Sequence, residues 1–182
     1  RISRVSWSSI DEHRLAMDID AYISDGFPID FIPEEPSTRL LEQSQKVFSP
    51  ATTIKLIEVG ADVNAINSSG ENALIREARN SSWKEAVPVI LKHTKNINAK
   101  DNNGHTALSY ICLKYLECKM RMVWSNDYLD KTNTKKLWEQ IHLLLNAGAD
   151  PGVDTTWQKD VRDSTEWQTE MHNLVKYITM HV

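Results

Sequence analysis

Leu56-Ile57-Glu58-Val59-Gly60-Ala61-Asp62-Val63-Asn64-Ala65 is answered, 34 positions later, by Ile90-Leu91-Lys92-His93-Thr94-Lys95-Asn96-Ile97-Asn98-Ala99. The same offset carries Gly70 onto Gly104 and Ala73-Leu74 onto Ala107-Leu108. Stepped backwards, it brings Gly26 onto Gly60, Asp30 onto Asn64 and Leu40 onto Leu74. Forwards, Leu144-Leu145-Asn146-Ala147-Gly148-Ala149-Asp150 repeats the pattern, but Gly148 lies 54 residues beyond Thr94, so about twenty residues are inserted in the last full unit. A fixed period of this length marks a repeat architecture. Each unit is one supersecondary element, too small to bury its own apolar face except by stacking on a neighbour.

Within a unit the pattern is helical. Ile54, Leu56 and Ile57, and again Val87, Ile90 and Leu91, have the spacing of one helix face. Gly60 and Gly148 stand where a helix C-terminus calls for a left-handed residue. Asn67-Ser68-Ser69-Gly70 and Asp101-Asn102-Asn103-Gly104 have the turn chemistry that reverses a chain before the next helix. The fold predicted is all-α, a short solenoid of stacked helix–turn–helix units with capping helices at both ends. One domain is expected over residues 1–182, with an N-terminal cap at 1–17 carrying Trp7, Ile10, Leu15 and Met17. The units fall at 18–50, 51–84, 85–136 and 137–158, with the insertion at about 116–136. A C-terminal cap takes 159–182, where Trp167, Met171, Leu174, Val175 and Ile178 recur at helical steps in a helix expected from about Val161 to Val182. Caps are needed because an open solenoid end exposes apolar surface.

The string at 56–65, the run Lys100-Asp101-Asn102-Asn103-Gly104-His105-Thr106-Ala107-Leu108 and the string at 144–150 resemble ankyrin repeats, and the resemblance covers roughly residues 18–158. The family's Thr-Pro-Leu-His element is degenerate: it reads Ser37-Thr38-Arg39-Leu40, Glu71-Asn72-Ala73-Leu74 and Thr106-Ala107-Leu108-Ser109. No unit supplies both the Thr and the His that brace a consensus repeat, so local stability below that of idealised repeats is expected. The resemblance implies a protein-binding face made of the turn tips and the inner helices. Tip positions are Glu34, Glu35 and Ser37, then Asn67, Ser68 and Glu71, then Asn102, Asn103 and His105. Exposed inner-helix positions are Gln45, Lys46, Arg79, Asn80, Leu113 and Lys114.

The insertion lies between the two helices of one unit, so it either extends both or makes an excursion beyond them. From about Leu116 to Lys136 it holds Met120, Met122, Trp124, Tyr128 and Leu129 with Lys119, Arg121, Lys131, Lys135 and Lys136. One reading makes Arg121, Trp124 and Tyr128 a contact hot spot, since these residue types dominate binding energetics. The other folds Trp124 and Tyr128 back over a lengthened helix pair. Asn126-Asp127 breaks the helical pattern and suggests a turn at the tip.

Little in the chain points to chemistry. At 182 residues it suits one domain burying roughly 70% of its unfolded surface, with no need of a disulfide or metal staple. With 21 Lys plus Arg against 25 Asp plus Glu, the net charge is −4, unlike a general phosphate binder. Mean hydropathy is −0.45, and no apolar run approaches the ~20 residues of a spanning helix. Cys112 and Cys118, at i,i+6 on a helix, lie about 9 Å apart along its axis and read as reduced packing thiols. Six histidines are present, yet none has a His or Cys partner at zinc-site spacing, and Gly-x-Ser-x-Gly and phosphate-cradling loops are absent. Glu34-Glu35, between Pro33 and Pro36, reads as a solvated turn rather than an acid–base pair.

The expectation is therefore a non-catalytic module with no cofactor, no metal, no nucleic acid and no membrane, monomeric by itself and binding a protein partner. The resemblance extends to immunity-type proteins that inhibit a cognate toxin or secreted enzyme by occlusion; the alternative is an adaptor domain of a larger regulatory or effector protein. The chain begins at Arg1. A cytoplasmic location is expected, or a periplasmic or secreted one if that start reflects removal of a signal peptide.

Overall fold

The computed structural model describes residues 50–80, 86–125, 128–161 and 163–180. The N-terminal cap, Glu34, Glu35, Gln45 and Lys46 lie outside the described residues. Among those described, all regular structure is helical: α1 (Pro50–Glu58), α2 (Ala73–Asn80), α3 (Ala86–His93), α4 (Ala107–Ser125), α5 (Tyr128–Asn146), a 3-10 turn (Thr156–Asp160) and α6 (Thr165–Thr179).

The degenerate element still starts its helices. Asn72 takes the Thr position before α2, and its Oδ1 accepts from Ile75 N at 2.9 Å. Before α4, Ser109 N donates to Thr106 Oγ1 at 3.2 Å while Thr106 N donates to Ser109 Oγ at 2.9 Å. This is a reciprocal cap in which Ser109 supplies the reach-back usually made by Glu or Gln. The C-termini of α1 and α5 close alike. Gly60 and Gly148 have φ of 99° and 93°, and the residues after them, Ala61 and Ala149, donate to Leu56 O at 3.0 Å and Leu144 O at 2.9 Å. That pattern is the Schellman closure and satisfies carbonyls the helix would leave orphaned.

Helices in register with one another pack together: α1 on α3 and α2 on α4, while α2 also packs on α3 and α4 on α5. Their shared faces form one core. Leu56, Leu74, Ile75, Val87, Ile90, Leu108, Ile111, Ile141 and Leu144 are all buried within it. Trp157 of the 3-10 turn and Trp167, Met171, Leu174 and Ile178 of α6 continue the same core, and both α6 and the 3-10 turn lie against α4. The apolar face expected near the C-terminus is thus the buried one. Its helix begins at Thr165 rather than near Val161, because Ser164 caps it by accepting from Trp167 N.

Polar side chains stitch one unit to the next. The turns at 67–71 and 101–105 share a design: Asn67 N donates to Glu71 O at 3.1 Å, and Asp101 N to His105 O at 3.0 Å. They lie side by side, with Asn102 N donating to Ser69 O at 2.9 Å and Asn102 Nδ2 to Ser68 O at 2.9 Å. Elsewhere on the surface, Asn64 Oδ1 accepts from Lys95 N at 2.8 Å, and its register mate Asn98 Oδ1 accepts from Asp150 N at 2.9 Å.

Of the two courses open to the insertion, the chain takes helix extension. The helices α4 and α5 each have 19 residues, against 8 in α2 and in α3. Both cysteines are free and buried on α4; burial pushes the Cys112 thiol well up, and the nearby Asp154 carboxylate adds to this.

Candidate functional site

At the first described turn the polar residues are turned to different uses. Asn67 is buried: its Oδ1 accepts from Ser69 N and Glu71 N, both at 2.9 Å, and its Nδ2 donates to Glu71 Oε2 at 2.8 Å. Glu71, expected at an exposed tip, is instead 0% exposed. Arg76 Nη1 reaches its Oε2 at 2.7 Å, and Arg79 donates to Oε1. Burial pushes the Glu71 carboxyl up, but hydrogen bonds from Arg76, Asn67 and Arg79 and the Arg76 charge outweigh that and hold it below its ordinary 4.5. Glu71 therefore ties the turn to α2. The guanidinium of Arg79 remains half exposed while bound to it.

His105, the register mate of Glu71, is also occupied within the molecule. Its Nδ1 lies 3.2 Å from Asp154 Oδ2, and its ring meets Tyr110 edge-on at 5.3 Å. Tyr110 in turn donates to Asp101 Oδ2 at 2.6 Å; burial and that carboxylate push the phenol up to about 12. Solvent at the tips is left to Asn102 and Asn103, with Ser68, Ser69 and the apolar Ile66, which is 59% exposed.

The lengthened helices bring together two other predicted residues. Lys114 and Arg121, two turns apart on α4, line a cleft of about 490 Å³ between α4 and α5. Glu117 and Cys118 share that wall, and Lys136, Leu137, Glu139 and Gln140 form the other. Lys114 Nζ donates to the Arg79 carbonyl at the end of α2. Burial lowers its pKa from 10.5 to about 8, against the pull of Glu117. Arg121 Nη2 lies 3.1 Å from Cys118 Sγ. Trp124 sits in the last turn of α4 and Tyr128 opens α5, but their side chains lie outside the described residues.

Sequence reasoning passed over Trp138, His142 and Tyr177. Trp138 packs at a tilt against Tyr177 at 4.4 Å and Tyr115 at 5.2 Å, and Tyr177 Oη lies 2.8 Å from His142 Nε2. The signal was the i,i+4 spacing of Trp138 and His142, which places both on the side of α5 turned toward α6. Among the described residues no group of three or more His, Cys, Asp or Glu is placed to hold a metal ion, and no helix is long and apolar enough to cross a membrane.

Two comparisons bear on this arrangement. The chain is 33% identical over 88 residues to an ankyrin repeat protein of Acanthamoeba polyphaga mimivirus, across 46% of this chain and 21% of that protein. It is 29% identical over 93 residues to a palmitoyltransferase of Danio rerio, across 50% of this chain and 14% of the enzyme. The matched stretch thus spans about a fifth or less of these curated relatives. No family model matches the chain. The similarity is ankyrin-like, and it covers half the chain at most.

Proposed function

We propose that the chain is a protein-interaction module, an ankyrin-type stack that acts by covering a partner's surface and not by catalysis. What carries the reading is the lengthened α4–α5 pair. α2 packs on α4, yet α4 runs on past the register mate of Asn80, the last residue of α2. The added length buries Leu116, Met120 and Leu137 in the shared core and also presents cationic and polar side chains along a cleft. Repeat proteins of this kind bind along extended faces their cores do not need, and a standard interface takes ~800 Å² from each partner. In its finer form the partner is an enzyme or toxin whose active site is occluded; the small stack and its irregular units support that form.

A second reading is favoured by one observation. The stretches matched in both relatives are small parts of longer proteins, which suits an adaptor segment that recruits a partner to other domains.

Affinity capture from native lysate on the immobilised 182-residue chain, followed by mass spectrometry, tests the proposal. A stoichiometric protein partner is expected, and an enzyme whose turnover stops on binding supports occlusion over recruitment. Turnover of model esters, peptides or phosphates by the pure chain would contradict the non-catalytic part.

A further inference from the structure

Asn103-Gly104 is the sole Asn-Gly pair in the sequence, and it lies in the turn at 101–105. Where glycine follows asparagine, the next backbone nitrogen reaches the side-chain amide carbon without a Cβ in the way. Asn103 is exposed, and a Cβ on Gly104 would meet nothing within 4 Å, so the approach is open. We propose that Asn103-Gly104 is a self-modifying site, converted through a succinimide to Asp and isoAsp at a rate set by opening of its turn. Gly104 N bonds to Asn103 Cγ and the Cγ–Nδ2 bond breaks; the proton of Gly104 N departs with Nδ2 as ammonia. Ring closure within one chain needs no second reactant. Water then opens the ring, at Cγ to give Asp or at the main-chain carbonyl carbon to give isoAsp.

The turn restrains the reaction without forbidding it. Gly104 N donates to Asp101 O at 3.0 Å and must leave that bond before it can attack. Asn102 holds the turn shut by gripping its neighbour at Ser69 O and Ser68 O, both at 2.9 Å. Opening one surface turn costs far less than unfolding the chain. Asn67-Ser68 gives the contrast within the same fold. It too is followed by a small residue, but Asn67 is buried, with Oδ1 accepting from Ser69 N and Glu71 N and Nδ2 donating to Glu71 Oε2. The product changes the tip. The Asn103 amide hydrogen-bonds the Tyr110 hydroxyl, which itself donates to Asp101 Oδ2. A carboxylate has no N–H for that oxygen and stands near the Asp101 charge, so the turn loosens from α4 as the tip gains negative charge.

Incubation of the 182-residue chain at pH 7 and pH 9, followed by peptide mapping with isoaspartyl methyltransferase labelling, tests this. Asp and isoAsp are expected at position 103 while Asn67 stays intact, and faster at pH 9, because the attacking nitrogen must lose its proton. Asn102→Ala, which removes one of the bonds between the turns, should speed conversion several-fold, and the urea-unfolded chain should convert faster still. In wild type, conversion should rise together with exchange of the Gly104 amide as urea is raised below the unfolding transition. Asn103→Ser takes the residue its register mate Ser69 already is, so the turn keeps its form and the label should vanish from that position. Asn103→Asp should lower Tm and speed exchange at the His105 amide, which donates to Asp101 Oδ1. An intact Asn103 in the folded chain while the unfolded chain converts, or Asp without isoAsp, overturns the proposal. Conversion that ignores both Asn102→Ala and Gly104 exchange overturns control by the turn.

Discussion

A carboxylate removed from water must be held by donors, and Glu71 is held by Asn67, Arg76 and Arg79. Glu71→Gln takes the carboxylate from Arg76, only 9% exposed, and is expected to cost about 3–5 kcal/mol in urea unfolding. Arg79→Gln should cost much less, since its guanidinium is half in solvent. Because the folded Glu71 pKa is depressed, its stabilisation is present above about pH 4.5 and is lost as pH falls through the lower folded value. The variant should therefore show a flatter acid limb, and an unchanged limb would contradict the assignment. Lys114 has a lowered pKa as well, but there the charged form is the one burial penalises. Its folded pKa is near 8 against 10.5, so between those values the unfolded chain binds the extra proton and stability rises with pH. Lys114→Met should lose that rise, as read from urea midpoints at pH 7 and 10; parallel profiles for the two proteins would refute it. The sequence puts Glu71 at a tip because it follows Gly70 just as His105 follows Gly104. Arg76 and Arg79, one turn apart on α2, reach back to it, and nothing in the repeat pattern encodes that reach.

At the scale of elements, the 34-residue offset and the turn and cap glycines were enough to place α1, α2, α3 and the two tips. Closure of α1 and α5 by Gly60 and Gly148 follows from the sequence alone, because so few residues tolerate that φ. The course of the insertion was not legible, since Met, aromatic and Lys residues suit an extended helix pair as well as an excursion. Neither was the start of α6, which a single serine cap decides. The stacked turns yield a prediction of their own. Gly70 has φ 76°, and a Cβ there would stand 2.9 Å from Asn102 N. Gly70→Ala should then cost at least about 1–2 kcal/mol from the left-handed backbone alone and should speed hydrogen exchange at the Asn102 amide by parting the turns; unaltered Tm and exchange would mean the turns do not depend on that approach. For the insertion, Trp124→Ala with Tyr128→Ala should weaken capture of the partner at nearly constant Tm. A sharp fall in Tm with capture intact would assign those rings to the core.

For the whole molecule, described helices and the 3-10 turn share one apolar interior, from Leu56 on α1 to Ile178 on α6. Leu74 and Leu108, in register on α2 and α4, are 1% and 4% exposed. Either truncated to Ala should cost about 2–5 kcal/mol by opening a cavity between neighbouring units, read as a shift in urea midpoint; a change below ~0.5 kcal/mol would mean the units do not share that interior. The lengthened α4–α5 pair joins this interior through Leu116, Met120 and Leu137 and also lines a cleft, where recognition is proposed. Hydrogen–deuterium exchange on the chain, free and bound to the protein it captures, tests that assignment most directly. Slowed exchange in α4 beyond Lys114 and in the facing part of α5, with α1 and α6 unchanged, is the predicted result. Slowing confined to α1 or α6 would contradict it.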